Sequence, residues 1–100
     1  MDKEQVVQIL HTHRESLREH RIHSIALFGS IARGEADATS DVDLVVEFSL
    51  PIGLFELVGL QSYLEKLLGC PVDLLTRDGI KARMRESILS ECVDVSSALD

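Results

Sequence analysis

The sequence predicts one α/β (α+β) domain with a small mixed three-stranded sheet and about four flanking helices, in the order α-β-α-β-α-β-α. Short apolar runs rich in β-forming residues alternate with segments whose apolar residues recur every three or four positions. The first two of these runs are joined by a short connection, and the second and third by a long helical segment. At 100 residues and 45% hydrophobic content, the chain can form one core without a disulfide or a structural metal.

The first predicted helix covers residues 2 to 20. Val6, Leu10 and Leu17 form an apolar stripe with helical spacing, and His13 occupies the stripe position between the two leucines. His11 and His13, two positions apart, do not face each other on a helix, so we expect solvated or snorkelling side chains rather than metal ligands. The histidines concerned are His11, His13, His20 and His23.

Three segments have the pattern of strands. Residues 24 to 28 form a short apolar run that stops at Gly29, residues 41 to 48 alternate in polarity, and residues 70 to 76 are apolar apart from Asp73. The short connection between the first two permits antiparallel pairing. The long helix between the second and third implies a parallel crossover of right-handed sense.

The remaining helices have recognisable boundaries. A short helix is expected near Ile31, and a long one is expected to start around Pro51 and end at Gly69. Its predicted apolar face comprises Leu54, Leu57, Val58, Gln61, Leu64, Leu67 and Leu68. After a turn at Asp78-Gly79, helical spacing returns with Ile80, Met84, Ile88, Leu89 and Cys92. The tail from Val93 to Ser97 has no predicted role.

Charge and cysteine content limit the classes of function. The net charge of −7, from 17 acidic against 10 basic residues, repels a nucleic-acid backbone and makes direct nucleic-acid binding an unlikely role. Four basic residues form one local patch, which we interpret as a solvated helix face: Arg77, Lys81, Arg83 and Arg85. The two cysteines, the absence of an apolar leader and the lack of a run of about 20 apolar residues predict a cytoplasmic protein with reduced thiols and no membrane segment.

The turn at Gly29-Ser30 has features of an anion-binding site. It lies where a strand passes into a short helix, and the first N–H groups of a helix are free to bind anions. Glycine allows a phosphate to approach the backbone, and the Ser30 hydroxyl adds a donor. Arg33 is a further candidate phosphate partner, with an ion pair to Glu35 or Asp37 as the equal alternative.

Asp41 and Asp43 are candidate metal ligands. Residues two apart on a strand point to the same side, with their Cα atoms about 7 Å apart. If the third strand lies parallel to the second, Asp73 joins them, and three clustered carboxylates favour a bound cation such as Mg²⁺. Taken singly, a Gly-Ser pair is typical of an ordinary turn. An Asp-x-Asp pair is typical of the solvated start of a strand. The spacing of the acids excludes an EF-hand loop.

The combination is more specific than its parts. In order along the chain stand Gly29-Ser30-x-Ala32-Arg33-Gly34, then Ser40-Asp41-x-Asp43-Leu44, then Pro71-Val72-Asp73-Leu74. This pattern resembles the DNA polymerase β-like nucleotidyltransferase superfamily, and most closely its minimal nucleotidyltransferase (MNT) domains. The resemblance implies the nucleotidyltransferase fold over a single domain, residues 1 to 100.

The resemblance also implies a chemistry. Asp41, Asp43 and Asp73 would hold two Mg²⁺ ions as catalytic ligands, and the ATP-binding positions would be Gly29, Ser30, Arg33 and Ser40. Minimal members commonly act as antitoxins that transfer AMP from ATP to a tyrosine of a HEPN-domain ribonuclease toxin. Two alternatives remain open from the sequence: a non-catalytic antitoxin that neutralises its toxin by binding, and a nucleotidyltransferase that modifies a small molecule.

Overall fold

The computed structural model describes residues 2–35, 41–80 and 82–100. Within these ranges the chain forms helices and strands in a mixed α+β arrangement, as the sequence predicts. Two short 3-10 helices, Arg77–Gly79 and Ser96–Leu99, flank the last helix and strand. The principal elements are α1 (Lys3–Thr12), α2 (Arg14–Glu19), β1 (Ile22–Phe28), α3 (Gly29–Ala32), β2 (Val42–Phe48), α4 (Leu54–Leu68), β3 (Val72–Thr76), α5 (Ala82–Glu91) and β4 (Val93–Asp94).

The sheet has the strand order β3-β2-β1-β4. β1 and β2 are antiparallel, with Phe28 opposite Asp43, and β2 and β3 are parallel, with Asp43 opposite Asp73. Both orientations confirm what the connection lengths predict. β4 adds a fourth, two-residue strand antiparallel to β1, which the sequence pattern did not reveal.

The core lies on one face of the sheet. Side chains alternate along a strand, so Val42, Leu44 and Val46 of β2 point to the same side. They are buried in one cluster with apolar residues of the helices, including Leu10 of α1 and Leu64 of α4. The opposite side, called the site face below, has Ala26, Asp43, Val45, Glu47 and Asp73 along its strands.

The predicted first helix is interrupted. Residues 2 to 20 form α1 and α2, which meet at His13, whose backbone leaves helical geometry at φ −107° and ψ 23°. The Ile9 carbonyl still accepts the helical bond from the His13 N–H at 3.2 Å, and it also lies 3.0 Å from the His13 ring nitrogen Nδ1. The rings of His11 and His20 also bond backbone carbonyls, so these histidines are tied to the backbone rather than freely solvated.

The long helix also differs from its predicted limits. α4 begins at Leu54 after the N-cap Gly53, three residues later than Pro51. It ends as expected at Gly69, which adopts a left-handed conformation with φ 71°. Its buried residues are Leu60, Leu64 and Leu68, whereas two residues of the predicted face, Leu54 and Val58, are exposed. No helix of the described residues is long and apolar enough to cross a membrane.

The C-terminal segment closes the edge of the sheet and the end of the core. After β4, the Val95 N–H donates to the Ile25 carbonyl, and the Ser96 hydroxyl accepts from the Ile25 N–H at 3.0 Å. The carbonyl of Ala98 lies 3.0 Å from His11 Nδ1, and Arg18 Nε donates to the carbonyl of Leu99. The tail thus joins β1 to α1 and α2.

We predict that Ser96→Ala lowers the free energy of unfolding by about 1 kcal/mol, because the half-buried Ile25 N–H loses its acceptor. Chemical denaturation monitored by circular dichroism measures the change. Ser90→Ala is the matched control, since the Ser90 hydroxyl makes only an exposed local bond to the Ser87 carbonyl. Equal stability of the two variants would contradict this account of the tail.

Candidate active site

The three predicted acids lie at one end of the site face. Asp41 immediately precedes β2, and Asp43 is the second residue of that strand. Asp73 is the second residue of β3 and is in register with Asp43 across the parallel pair, where neighbouring strands are about 4.8 Å apart. The structure therefore brings Asp43 and Asp73 side by side, with Asp41 two residues away along the chain.

The electrostatics of Asp43 reflect this crowding. Partial burial raises the pKa of the Asp43 carboxyl, the negative charges of Asp73 and Asp41 raise it further, and the charge of Arg33 lowers it. A carboxylate whose ionised form is disfavoured by two like charges is stabilised when a cation neutralises them. The donor set is all oxygen, which suits a hard cation such as Mg²⁺.

The acids do not form a closed cage. In the parts of the chain that the structure describes, no three side chains of His, Cys, Asp or Glu converge as a ready-made metal site. Mg²⁺ is commonly held by one or two carboxylates, with water and substrate phosphates as its other ligands. The open pair of Asp43 and Asp73 fits that kind of site.

Position 29 favours glycine for two independent reasons. Its φ of +75° is a conformation that other residues rarely adopt. A Cβ atom at this position would lie 3.0 Å from Cγ of Asp43 and nearer still to its Oδ2. The turn that begins α3 is therefore packed directly on a candidate metal ligand, and Ser30 is the next residue of that helix.

Arg33 is engaged in ion pairs at the end of α3. Its Nε lies 3.1 Å from Oε2 of Glu35, which confirms one of the predicted alternatives, and its Nη1 lies 3.4 Å from Oε2 of Glu91 on α5. Hydrogen bonding to Glu35 raises the pKa of Arg33. Exposed ion pairs of this kind contribute little, so a phosphate can replace them at small cost. Asp37 and the ATP-binding candidate Ser40 lie outside the described residues.

The two described arginines of the basic patch contact residues other than the three acids. Arg77 pairs with Glu47 of β2 at 3.8 Å, and the Arg85 guanidinium is 3.5 Å from the Ile80 carbonyl. Lys81 and the side chain of Arg83 lie outside what the structure describes. For the two described members, the interpretation as a solvated surface fits their exposure.

Two cavities lie beside elements of the site, and sequence reasoning found neither; the walls of neither include Asp41, Asp43 or Asp73. One of 430 Å³ lies beside α3, with Lys3 and Arg33 in its wall. The other, of 240 Å³, lies on the site face and is called the sheet cavity. The side chains that line it include Ser24, Ala26, Val45, Glu47, Arg77, Leu89, Cys92 and Asp94. Asp43, Val45 and Glu47 are two residues apart along β2 and therefore share one face of the sheet. This spacing was the feature of the sequence from which a shared surface could have been predicted.

Three comparisons with known proteins agree on one family. The nucleotidyltransferase domain family matches residues 10–95. Protein adenylyltransferase MntA of Thermococcus cleftensis is 40% identical over 93 residues, which cover 92% of this chain and 94% of the relative. A solved structure assigned as a minimal nucleotidyltransferase superimposes with a TM-score of 0.72 at 36% identity, covering 93% of this chain and 95% of that one.

A fourth similarity is one of fold. The solved complex of a tri-AMPylated Shewanella oneidensis HEPN toxin with its MNT antitoxin matches with a TM-score of 0.66 at 18% identity. The match covers 89% of this chain and 71% of that one. The mixed sheet and its helices are therefore shared with an antitoxin fold.

We predict that Gly29→Ala destabilises the protein by about 2 kcal/mol, through backbone strain together with displacement of the Asp43 carboxylate. Gly34→Ala is the matched control, because Gly34 also has a positive φ, +74°, but nothing lies within 4 Å of a Cβ built there. Thermal and urea denaturation measure both variants. A loss at Gly29 no larger than the loss at Gly34 would show that contact with Asp43 is unimportant.

Proposed function

The chain belongs to the nucleotidyltransferase domain family and is a nucleotidyltransferase, and on that premise we propose that it transfers AMP from ATP to a tyrosine hydroxyl of a HEPN-domain toxin, with Mg²⁺ as cofactor. The observation that carries the proposal is the register of Asp43 against Asp73, directly beside the Gly29 turn. This arrangement sets carboxylates and phosphate-binding N–H groups at one end of the sheet.

The proposed roles follow from position. Gly29 and Ser30 bind the triphosphate through the N–H groups at the start of α3 and the serine hydroxyl. Asp41, Asp43 and Asp73 would hold Mg²⁺, two ions in the proposed scheme, and the metal would supply positive charge that neutralises the phosphates. Asp73 is exposed at the free edge of β3, so we assign it to accept the proton of the attacking hydroxyl.

The proposed reaction transfers AMP from ATP to the acceptor hydroxyl and releases pyrophosphate. The acceptor oxygen forms a bond to the α-phosphorus of ATP while the bond from that phosphorus to the bridging oxygen of pyrophosphate breaks. Pyrophosphate leaves on the Gly29 and Ser30 side, and the hydroxyl proton passes to Asp73. Arg33 exchanges its exposed pair with Glu91 for a phosphate oxygen.

Three observations support a protein partner. The relative MntA is named a protein adenylyltransferase, and the antitoxin of similar fold is in complex with a HEPN toxin. In addition, Leu54, Phe55 and Val58 at the start of α4 are 72%, 92% and 52% exposed. An apolar group of this kind is typical of a protein contact. It lies near the end of β2 remote from the acids, about 20 Å along the strand, so one partner touching both must span the sheet.

A binding-only antitoxin is the alternative function, and the same exposed apolar group favours it because docking alone needs no acids. The electrostatic cost of three neighbouring carboxylates counts against it. Neutralisation of the toxin that survives loss of the acids would support this alternative.

We predict that Asp41→Asn/Asp43→Asn and Asp73→Asn each reduce AMP transfer by about 100-fold or more, because the cation and proton-accepting oxygens are lost. The measurement is incorporation of label from α-labelled ATP into purified HEPN toxin in the presence of Mg²⁺. Asp78→Asn, in the exposed 3-10 helix, is the control and retains activity. Equal labelling by wild type and the double variant would refute the proposal.

We also predict that MgATP stabilises the wild type against thermal unfolding, by about 2.7 kcal/mol at a ligand concentration 100 times the dissociation constant. Chelation of Mg²⁺ by EDTA abolishes most of the shift, because the phosphates and carboxylates then repel one another. The Asp41→Asn/Asp43→Asn variant shows a smaller shift in differential scanning fluorimetry. A shift that is unchanged by EDTA would contradict a metal-bridged nucleotide.

A further inference from the structure

We propose that the sheet cavity binds the adenine ring of the nucleotide, and that Glu47 and Arg77 at its mouth select adenine over guanine; this rests on the proposed function. The cavity lies on the same side of β2 as Asp43, because Asp43, Val45 and Glu47 alternate along one strand. Val45 is therefore about 7 Å from Asp43 and Glu47 about 13 Å. A nucleoside extends over distances of this order from its α-phosphate.

The in-line geometry at the α-phosphorus requires the nucleoside and the acceptor hydroxyl to occupy different places. In an in-line transfer, the attacking and leaving oxygens lie on opposite sides of the phosphorus. The leaving pyrophosphate is assigned to Gly29 and Ser30 at the end of β1, and the attacking hydroxyl to Asp73 on β3 at the sheet edge. The sugar and base must therefore extend in a third direction. The sheet cavity, whose lining on β1 and β2 includes neither Gly29 nor Asp73, is the space that we assign to them.

The lining suits a flat heterocycle. Ala26 is opposite Val45 in the register of β1 and β2, and these two small apolar residues form the floor. Leu89 and Cys92 form one wall, and burial raises the pKa of the Cys92 thiol, which keeps that wall neutral. At 240 Å³ the cavity is below the range of about 300 to 1,000 Å³ typical of sites that hold a whole drug-sized ligand, so it fits one part of the nucleotide.

The polar groups at the mouth give the preference for adenine. Ser24 lies opposite Glu47, and the Glu47 carboxylate is 3.8 Å from Nη1 of Arg77, a loose pair of half-exposed side chains. The carboxylate only accepts hydrogen bonds and so suits the exocyclic amino group of adenine; the guanidinium donates to a ring nitrogen. Guanine bound in the same orientation as adenine would present its carbonyl oxygen to the carboxylate, which repels it.

The test compares ATP, GTP and inorganic tripolyphosphate, each with Mg²⁺, as ligands of the full chain in calorimetric titration. We expect Ala26→Leu, which fills the cavity, to weaken ATP binding about tenfold and to leave tripolyphosphate binding unchanged. Glu47→Gln should reduce the preference for ATP over GTP about tenfold, because an amide can donate to the guanine carbonyl. Glu56→Gln is the matched control, because Glu56 is exposed on α4, and this variant retains the wild-type preference for ATP over GTP.

Several outcomes would overturn the inference. Unchanged ATP affinity in Ala26→Leu, with its fold verified by circular dichroism, excludes the base from the cavity. If that variant does not fold, the milder Glu47→Gln decides alone, and an unchanged ATP to GTP ratio refutes the inference. Altered KM for the acceptor protein with normal ATP affinity would assign the cavity to the acceptor. In all three cases wild-type AMP transfer persists, whereas failure of the wild type to bind MgATP or to transfer AMP overturns the proposed function as well.

Discussion

The site depends on the pairing of β2 with both of its neighbours. The antiparallel register to β1 puts Asp43 opposite Phe28, and so beside the Gly29 turn, while the parallel register to β3 puts Asp43 opposite Asp73. A shift of one residue in either pairing would move Asp43 to the core face, where Val42 and Leu44 are fully buried. The hydrophobic core on one side of β2 therefore fixes the alignment of the acids on the other.

This alignment has an electrostatic cost, which the fold tolerates because the acids are only partly buried. The charges of Asp73 and Asp41 raise the pKa of Asp43, and burial acts in the same direction. None of the buried residues is polar or charged among those the structure describes, so the core itself carries no such strain. Unfavourable interactions are thus concentrated at one end of the sheet, which is typical of functional sites.

Much of the fold could be predicted from the sequence, because its strands and long helix have distinct periodicities. The orientations of β1, β2 and β3 followed from connection length. The turn at Gly29 followed from the abrupt end of an apolar run. The break at His13 could not be predicted, since the apolar spacing continues across it from Leu10 to Leu17 while the backbone angles of His13 depart from the helix. β4 was missed for a related reason: a two-residue strand has no periodicity, and it is held by Ser96 and Val95 against Ile25. The predicted assignments of site residues to metal and nucleotide stay predictions.

The C-terminal segment connects the site to the rest of the molecule. Glu91 at the end of α5 pairs with Arg33 of the segment that follows the Gly29 turn, and Leu89 and Cys92 line the sheet cavity. Immediately afterwards, β4 and Ser96 bind β1, and the carbonyls of Ala98 and Leu99 bind α1 and α2. The stretch for which the sequence offered no role thus anchors the wall of the cavity to the core.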